Sequence, residues 1–285
     1  MTYLINASGG AGSTLAGIRC MDRFGKDACD WVFADTKSEH PDLYNLLDAV
    51  EQKYGIGIKR LSDGRDVWDV FFQSRCIKVR NGGCKAAVEL KHKPLDAYRD
   101  AHYTPDTCVV VVGMSWMEPE RIARIERRQA PFKCLFPLTW DKRLSKCEEI
   151  AELEALGLPT PSLYTRGHQH NNCAGACVLA GHAQWVGLLQ DDPERFHRYA
   201  QKEAEWRKAT DNDGTNGRDF SILHDRREGG PRRSMTLLEL QARYDAGESF
   251  REWRSTCNCM GYEQQSLFDE DTADSFAISD TEDHP

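Results

Sequence analysis

The run TCVVVVG at residues 107–113 constrains this chain more than any other stretch. Four consecutive valines lose rotamer freedom in a helix and fit a pleated strand. Nothing polar alternates with them, so the run predicts a strand covered on both faces, as in a parallel sheet with helices on either side. The rest of the first half agrees. Residues 2–6, 31–35 and 56–61 read as further strands, and residues 13–23, 90–101 and 118–128 as helices. A helix from Pro41 to about Tyr54 is also expected, because proline suits a first turn where its missing N–H is not needed. Strands alternating with helices predict an α/β fold with a doubly wound, mainly parallel sheet of the Rossmann-like kind.

In such a sheet, ligands bind beyond the carboxyl ends of the strands, near the point where strand order reverses. The segment ASGGAGST at residues 7–14 takes that position after the first strand. Gly9, Gly10 and Gly12 let the backbone approach an anion and turn its N–H groups toward it. A helix beginning near Ser13 adds its positive end. Taken alone, the loop fits a bound phosphate and a plain strand-to-helix turn equally well.

The pattern changes after residue 158. Residues 159–262 are loop-rich and carry cysteines, with helices expected near 177–189, 193–208 and 237–244. Three regions follow: a nucleotide-binding α/β domain over 1–158, a helical cysteine-bearing extension over 159–262, and a tail over 263–285. The tail holds eight acids and no Lys or Arg, which matches the whole net charge of −8. It is poor in periodic apolar residues and is expected to be disordered. The remaining body is formally neutral and need not repel nucleic acid. No apolar run reaches 18 residues and nothing reads as a signal peptide, so no membrane span and a cytoplasmic location are expected.

A reducing cytosol changes the reading of the 11 cysteines toward metal or redox ligands. Cys173 and Cys177 form one close pair, and Cys257 and Cys259 another. Together they supply four thiolates, enough for one tetrahedral zinc or one [4Fe–4S] cluster. His168, His170 and His182 lie beside the first pair and are alternative zinc ligands. Cys20, Cys29, Cys76, Cys108, Cys134 and Cys147 read as core or isolated positions.

SGGAGST followed by FADTKSEHP resembles the PP-loop superfamily, which includes ATP pyrophosphatases and PAPS reductases. The likeness is strongest to phage and bacterial PAPS reductase-like proteins and to the ATP pyrophosphatase of DNA phosphorothioation. Further segments match in the same order: CKAAVELKHKPLDAY, VVGMSWMEPERIARI, FPLTWDKRLSKCE, NNCAGACVLAGHAQW, FSILHDRREGGPRRSMTLLEL and CNC. The resemblance covers roughly residues 2–260.

This resemblance implies that Ser8, Gly9, Gly10, Gly12 and Ser13 hold phosphates, and that Asp35 and Thr36 lie near the adenosine. It implies Glu118 and Arg121 as an acid and a base facing the nucleotide, and adds Cys84 as a fifth candidate metal ligand. Iron–sulfur chemistry in several thiolating PP-loop enzymes favours a cluster over zinc. Lys91 and Lys93 either neutralise phosphate or belong to a solvated helix face. One departure stands out: the motif usually reads Ser-Gly-Gly-x-Asp-Ser, and Gly12 takes the place of the acid.

The implied activity is that of an ATP pyrophosphatase. ATP with Mg²⁺ adenylates a substrate, which then accepts sulfur or nitrogen. DNA or tRNA is a candidate substrate: DRREGGPRRS at 225–234 either offers four arginines to phosphates or is a solvated surface loop. A PAPS or APS reductase is an alternative, but its Glu-Cys-Gly-(Ile/Leu)-His motif does not occur here. A non-catalytic nucleotide-binding adaptor is another, supported by Gly12. In the tail, QQSLF resembles the peptide by which bacterial replication proteins bind the sliding clamp. Gln264, Leu267 and Phe268 would be its anchors.

Overall fold

The computed structural model describes residues 1–250 apart from residues 81, 169 and 226–232. Its centre is a five-stranded, wholly parallel sheet in the order β3-β2-β1-β4-β5. The strands are β1 (Thr2–Ala7), β2 (Cys29–Ala34), β3 (Ile58–Leu61), β4 (Cys108–Val111) and β5 (Lys133–Leu135). From β1 the chain adds strands outward in one direction, then returns to add β4 and β5 on the other side. The order therefore reverses between β1 and β4, which are paired from Thr2↔Cys108 to Ile5↔Val111.

The helices that follow in the chain are α1 (Ala11–Phe24), α2 (Pro41–Tyr54), α3 (Val67–Ser74), α4 (Lys93–His102), α5 (Pro119–Gln129), α6 (Lys146–Ala155) and α7 (Ser162–Thr165). Residues along each strand alternate between two cores, as a pleated sheet requires. Ile5, Ala7, Trp31 and Phe33 pack with Leu15 of α1, Leu43 and Leu47 of α2 and Leu153 of α6. Leu4, Val32 and Val110 pack on the other face with Phe132, Leu95 and Tyr98. The valine run supplies β4, all four of whose residues are buried, and the sheet is flanked by helices as expected.

A third core joins α3 to α8 (His182–Asp191), α9 (Pro193–Ala209), the antiparallel pair β6 (Leu223–Asp225) and β7 (Arg233–Met235), and α10 (Leu237–Asp245). It draws on Trp68, Phe71 and Leu90 from before residue 158 and on Trp185, Phe196 and Trp206 from after it. Glu203 ties it together. Its buried carboxylate accepts from Ile222 N and Leu237 N, both at 2.7 Å.

Two expected helices differ in detail. Residues 87–92 form a π-helical turn ahead of α4, with Lys93 N bonded to Val88 O, five residues back. Pro94 follows, and its missing N–H interrupts the ordinary i→i−4 ladder. The helix expected from residue 177 begins at His182, behind Gly181. Among the described residues no helix is long and apolar enough to cross a membrane.

Candidate functional site at the strand-order reversal

The residue 8–13 loop lies at the carboxyl end of β1, at the reversal point. It is clasped from within. Ser8 N and Ser8 Oγ both donate to Ser13 Oγ, at 3.0 and 2.9 Å, and Ser13 Oγ donates to Gly10 O at 3.1 Å. Gly9 sits at φ +71°, and a Cβ there would lie 2.2 Å from Leu43 Cγ. Only glycine satisfies both constraints. Across the reversal, a Cβ on Gly113 would lie 2.5 Å from Ser13 Cα. Glycine is thus what allows the end of β4 to press against the start of α1. The first-turn amides of α1 have no acceptor within the helix, and that of Ala11 reaches Tyr164 Oη at 3.2 Å.

Residues from later segments surround this loop. Asn171 Nδ2 donates to Gly9 O at 3.1 Å. Lys146 and Glu149, in the first turn of α6, form an ion pair in which Glu149 is buried. Burial raises the Glu149 carboxyl above its ordinary range, Lys146 opposes that rise, and Glu118 adds to it. For Lys146 the cost of burial is outweighed by Glu149, and its ammonium titrates higher than usual. Glu118 and Arg121 pair with each other at the start of α5. His170 feels Lys146, Arg121 and Glu118, but burial dominates and lowers its pKa to about 4. At neutral pH this imidazole is uncharged. The expected pair Glu118–Arg121 therefore shares one electrostatic environment with Lys146, Glu149 and His170.

Asp35 and Thr36 follow β2, but their side chains are engaged in shaping a turn. Asp35 accepts from Lys37 N at 2.9 Å and from Tyr44 Oη at 2.7 Å, with Lys37 Nζ 3.0 Å away. Burial works against its charge, yet these donors hold the carboxyl below its usual range. Thr36 Oγ1 donates to Glu39 Oε1 at 3.0 Å.

Glu39 begins a second group. Its carboxylate also accepts from Cys173 N at 2.8 Å and pairs with Lys91 Nζ at 2.8 Å. Lys91 lies in the π-helical turn and faces Glu39, whereas Lys93 is exposed and pairs with Glu89. The solvated-face reading thus describes Lys93 and not Lys91. Cys173 and Cys177 lie beside Lys91. Burial and then Glu39 push the Cys173 thiol well up, while Lys91 pulls it down. Cys84 joins them: its thiol is raised by burial first and by Cys177 as well. The structure thus places Cys84, Cys173 and Cys177 in one charge environment. Among the described residues, however, no three His, Cys, Asp or Glu side chains stand as a metal-holding group. Cys257 and Cys259 lie outside the described residues, as do Gln264, Leu267 and Phe268 of the clamp-like peptide and residues 226–232 of the arginine loop. Of the cysteines expected in the core, Cys20 and Cys108 are buried and free, and Cys29, Cys76 and Cys134 are partly buried and free. Cys147 is not among the free thiols.

Sequence reading does not single out Lys146, Glu149, Tyr164 or Asn171 as site residues, and it gives His170 only as an alternative zinc ligand. One signal is present: Ser145 and Glu148 make a capping box, with Ser145 N donating to Glu148 Oε2 at 2.9 Å. That pattern marks the start of α6 and puts Lys146 and Glu149 in its first turn. No protein-family model matches the chain, and no curated protein matches it.

Proposed function

We propose that this chain is a PP-loop enzyme that binds an adenine nucleotide on residues 8–13 and transfers its adenylate to a substrate with release of pyrophosphate. The observation that carries this reading is the glycine loop between β1 and α1 at the strand-order reversal, with the Lys146–Glu149 pair beside Gly12. Backbone amides and a cation there suit the charge that develops on phosphate during transfer. Gly9, Gly10, Gly12 and Ser13 contribute backbone, and Ser8 and Ser13 maintain the loop's shape. Asp35 and Thr36 organise the turn after β2, where the adenosine would lie. Nucleic acid, DNA or tRNA, is the proposed acceptor, and sulfur or nitrogen transfer the proposed outcome.

The experiment is direct. ATP and Mg²⁺ are supplied with candidate oligonucleotides, and pyrophosphate and AMP are measured. Release of pyrophosphate that depends on the oligonucleotide supports the reading. Tight ATP binding without pyrophosphate release under any acceptor would instead support the adaptor, the reading that Gly12 favours. The thiols of Cys84, Cys173 and Cys177 are proposed, with Cys257 and Cys259, to hold zinc or an iron–sulfur cluster. The QQSLF peptide is proposed to dock on a sliding clamp, and a pull-down with Leu267→Ala, Phe268→Ala protein as control tests it.

A further inference from the structure

Cys20 and Cys29 read from the sequence as core or isolated positions, yet the fold brings them together. Their sulfurs lie 4.0 Å apart, and both are free thiols. Cys20 sits in the second half of α1 and is 0% exposed. Cys29 opens β2 opposite Tyr3 of β1 and is only partly buried against the same core. After α1 ends, the chain reaches β2 through Gly25 and a single turn at Lys26–Ala28 that has no buried residue. A Cβ on Gly25 would meet no atom within 4 Å. A disulfide needs an S–S distance of about 2.05 Å, so the sulfurs must close by roughly 2 Å. The unpacked connection leaves room for that shift. The two thiols are not equivalent. A thiolate at Cys20 would be cut off from water, whereas Cys29 lies at the edge of the core. The Cys20 thiol donates to the Cys29 sulfur and holds Cys29 below its ordinary range, against the cost of burial. The same hydrogen bond, and then burial, push Cys20 up. The thiolate is the nucleophile, which makes Cys29 the attacking sulfur and Cys20 its partner.

We propose that Cys20 and Cys29 form a reversible oxidation site, at which a peroxide closes a disulfide between α1 and β2. The Cys29 thiolate attacks one peroxide oxygen. The S–O bond forms, the O–O bond breaks, and the departing hydroxide takes up the proton that Cys29 gave up. Cys29 is then a sulfenic acid, which condenses with a neighbouring thiol. The Cys20 sulfur attacks the Cys29 sulfur; the S–S bond forms, the S–O bond breaks, and the Cys20 proton leaves with the hydroxide as water. The two thiols together lose two electrons and the peroxide gains them. A thiol reductant restores the pair by exchange through a mixed disulfide. In a reducing compartment a bond of this kind is transient, as redox-sensing disulfides are. The site lies apart from the residue 8–13 loop and does not depend on the nucleotide reading.

The test uses the full chain, reduced, freed of reductant and exposed to a small excess of hydrogen peroxide. Remaining thiols are blocked with N-ethylmaleimide in denaturant, and the protein is digested with trypsin for mass spectrometry. Arg23 and Lys26 lie between the two cysteines, so trypsin separates them and a linked pair of peptides reports the disulfide. That pair is expected to form, to account for the loss of both thiols together, and to disappear after dithiothreitol. Cys20→Ala removes the partner thiol, so Cys29 should stop at the sulfenic acid and be labelled by dimedone, a label that the unaltered protein should lack. Circular dichroism checks folding; should Cys20→Ala unfold, Cys29→Ser at the less buried position decides, and its Cys20 should stay a free thiol under the same peroxide. The inference is overturned if Cys20 and Cys29 both remain free while other thiols of the chain are oxidised. It is equally overturned if Cys29 is found joined to a cysteine other than Cys20.

Discussion

Lys91 Nζ lies 2.8 Å from Glu39 Oε1, and the Glu39 side chain is fully buried. Glu39 in turn holds Thr36, at the end of β2, and the Cys173 amide. One ion pair thus fastens the turn after β2 to the cysteine segment. Lys91 reaches Glu39 from the π-helical turn at Ala87–His92. A widened turn re-aims its side chains, and such turns often occur at functional positions.

The first prediction follows from that burial. Lys91→Met leaves Glu39 charged and without its cation. Removing one partner of a buried pair costs about 3–5 kcal/mol. With a quarter of the Lys91 side chain exposed, the lower end, about 3 kcal/mol, is expected. Urea unfolding of the unaltered protein and of the Lys91→Met variant measures it. A variant of unchanged stability but much weaker nucleotide binding would show that Lys91 serves phosphate, not Glu39.

Two neighbouring glycines should respond differently. Gly10 has an extended backbone, φ −103° and ψ 162°, which any residue adopts. A Cβ there meets Tyr164 Oη at 3.0 Å and Ser8 Oγ at 3.7 Å. Gly10→Val should therefore leave the fold largely intact while blocking the approach of a phosphate. Gly9→Ala combines a left-handed φ with a collision against Leu43, and should lose about 2–4 kcal/mol of stability. Calorimetry with ATP and thermal unfolding of both variants separate the two effects. Unchanged ATP affinity in Gly10→Val would count against the loop as a phosphate site.

The contrast between these glycines shows what can be read from sequence. The valine run and the glycine loop are local signals, and both appear in the structure where local physics puts them. Glu118 and Arg121 are picked out by the resemblance alone; the structure pairs them with each other at the start of α5. Asn171 and Tyr164 are not legible, because they reach the loop from more than 150 residues away, and no local pattern encodes that. Helix α3 is hard to read although Asp66 and Asp69 form a capping box. The usual signature has Glu or Gln at the third helical position, and here it is Asp. Lys91 is ambiguous for a different reason: straight α-helical spacing cannot reveal a turn widened ahead of Pro94.

The three neighbouring thiols yield the next prediction. If Cys84, Cys173 and Cys177 serve a metal with Cys257 and Cys259, protein purified without oxygen should carry stoichiometric iron and sulfide, or zinc. Cys173→Ser should then lose most of the metal and part of its stability, because metal affinity contributes to folding. Metal analysis with an absorbance spectrum decides it. A fully metallated Cys173→Ser protein would remove that residue from the ligand set.

The last prediction concerns acid. His168 and His170 each titrate near a pKa of about 4, below the ordinary 6.5, with burial as the leading cause for both. A histidine whose folded pKa is depressed binds protons more readily when unfolded. The unfolded chain is therefore favoured as pH falls from about 6.5 toward 4, and stability rises with pH across that window. Between pH 7 and pH 5 each histidine should account for a loss of about 2 kcal/mol. Urea titrations at the two pH values measure the sum, and His170→Gln should remove about half of it. His170 carries a further consequence, since it lies among the groups beside the loop. Phosphate bound there would favour the imidazolium and raise its pKa, so nucleotide binding near pH 5 should take up protons. Calorimetry in buffers of different ionisation enthalpy reads that uptake, which His170→Gln should abolish. Equal uptake with and without the histidine would mean that His170 lies too far from the bound phosphates to sense them.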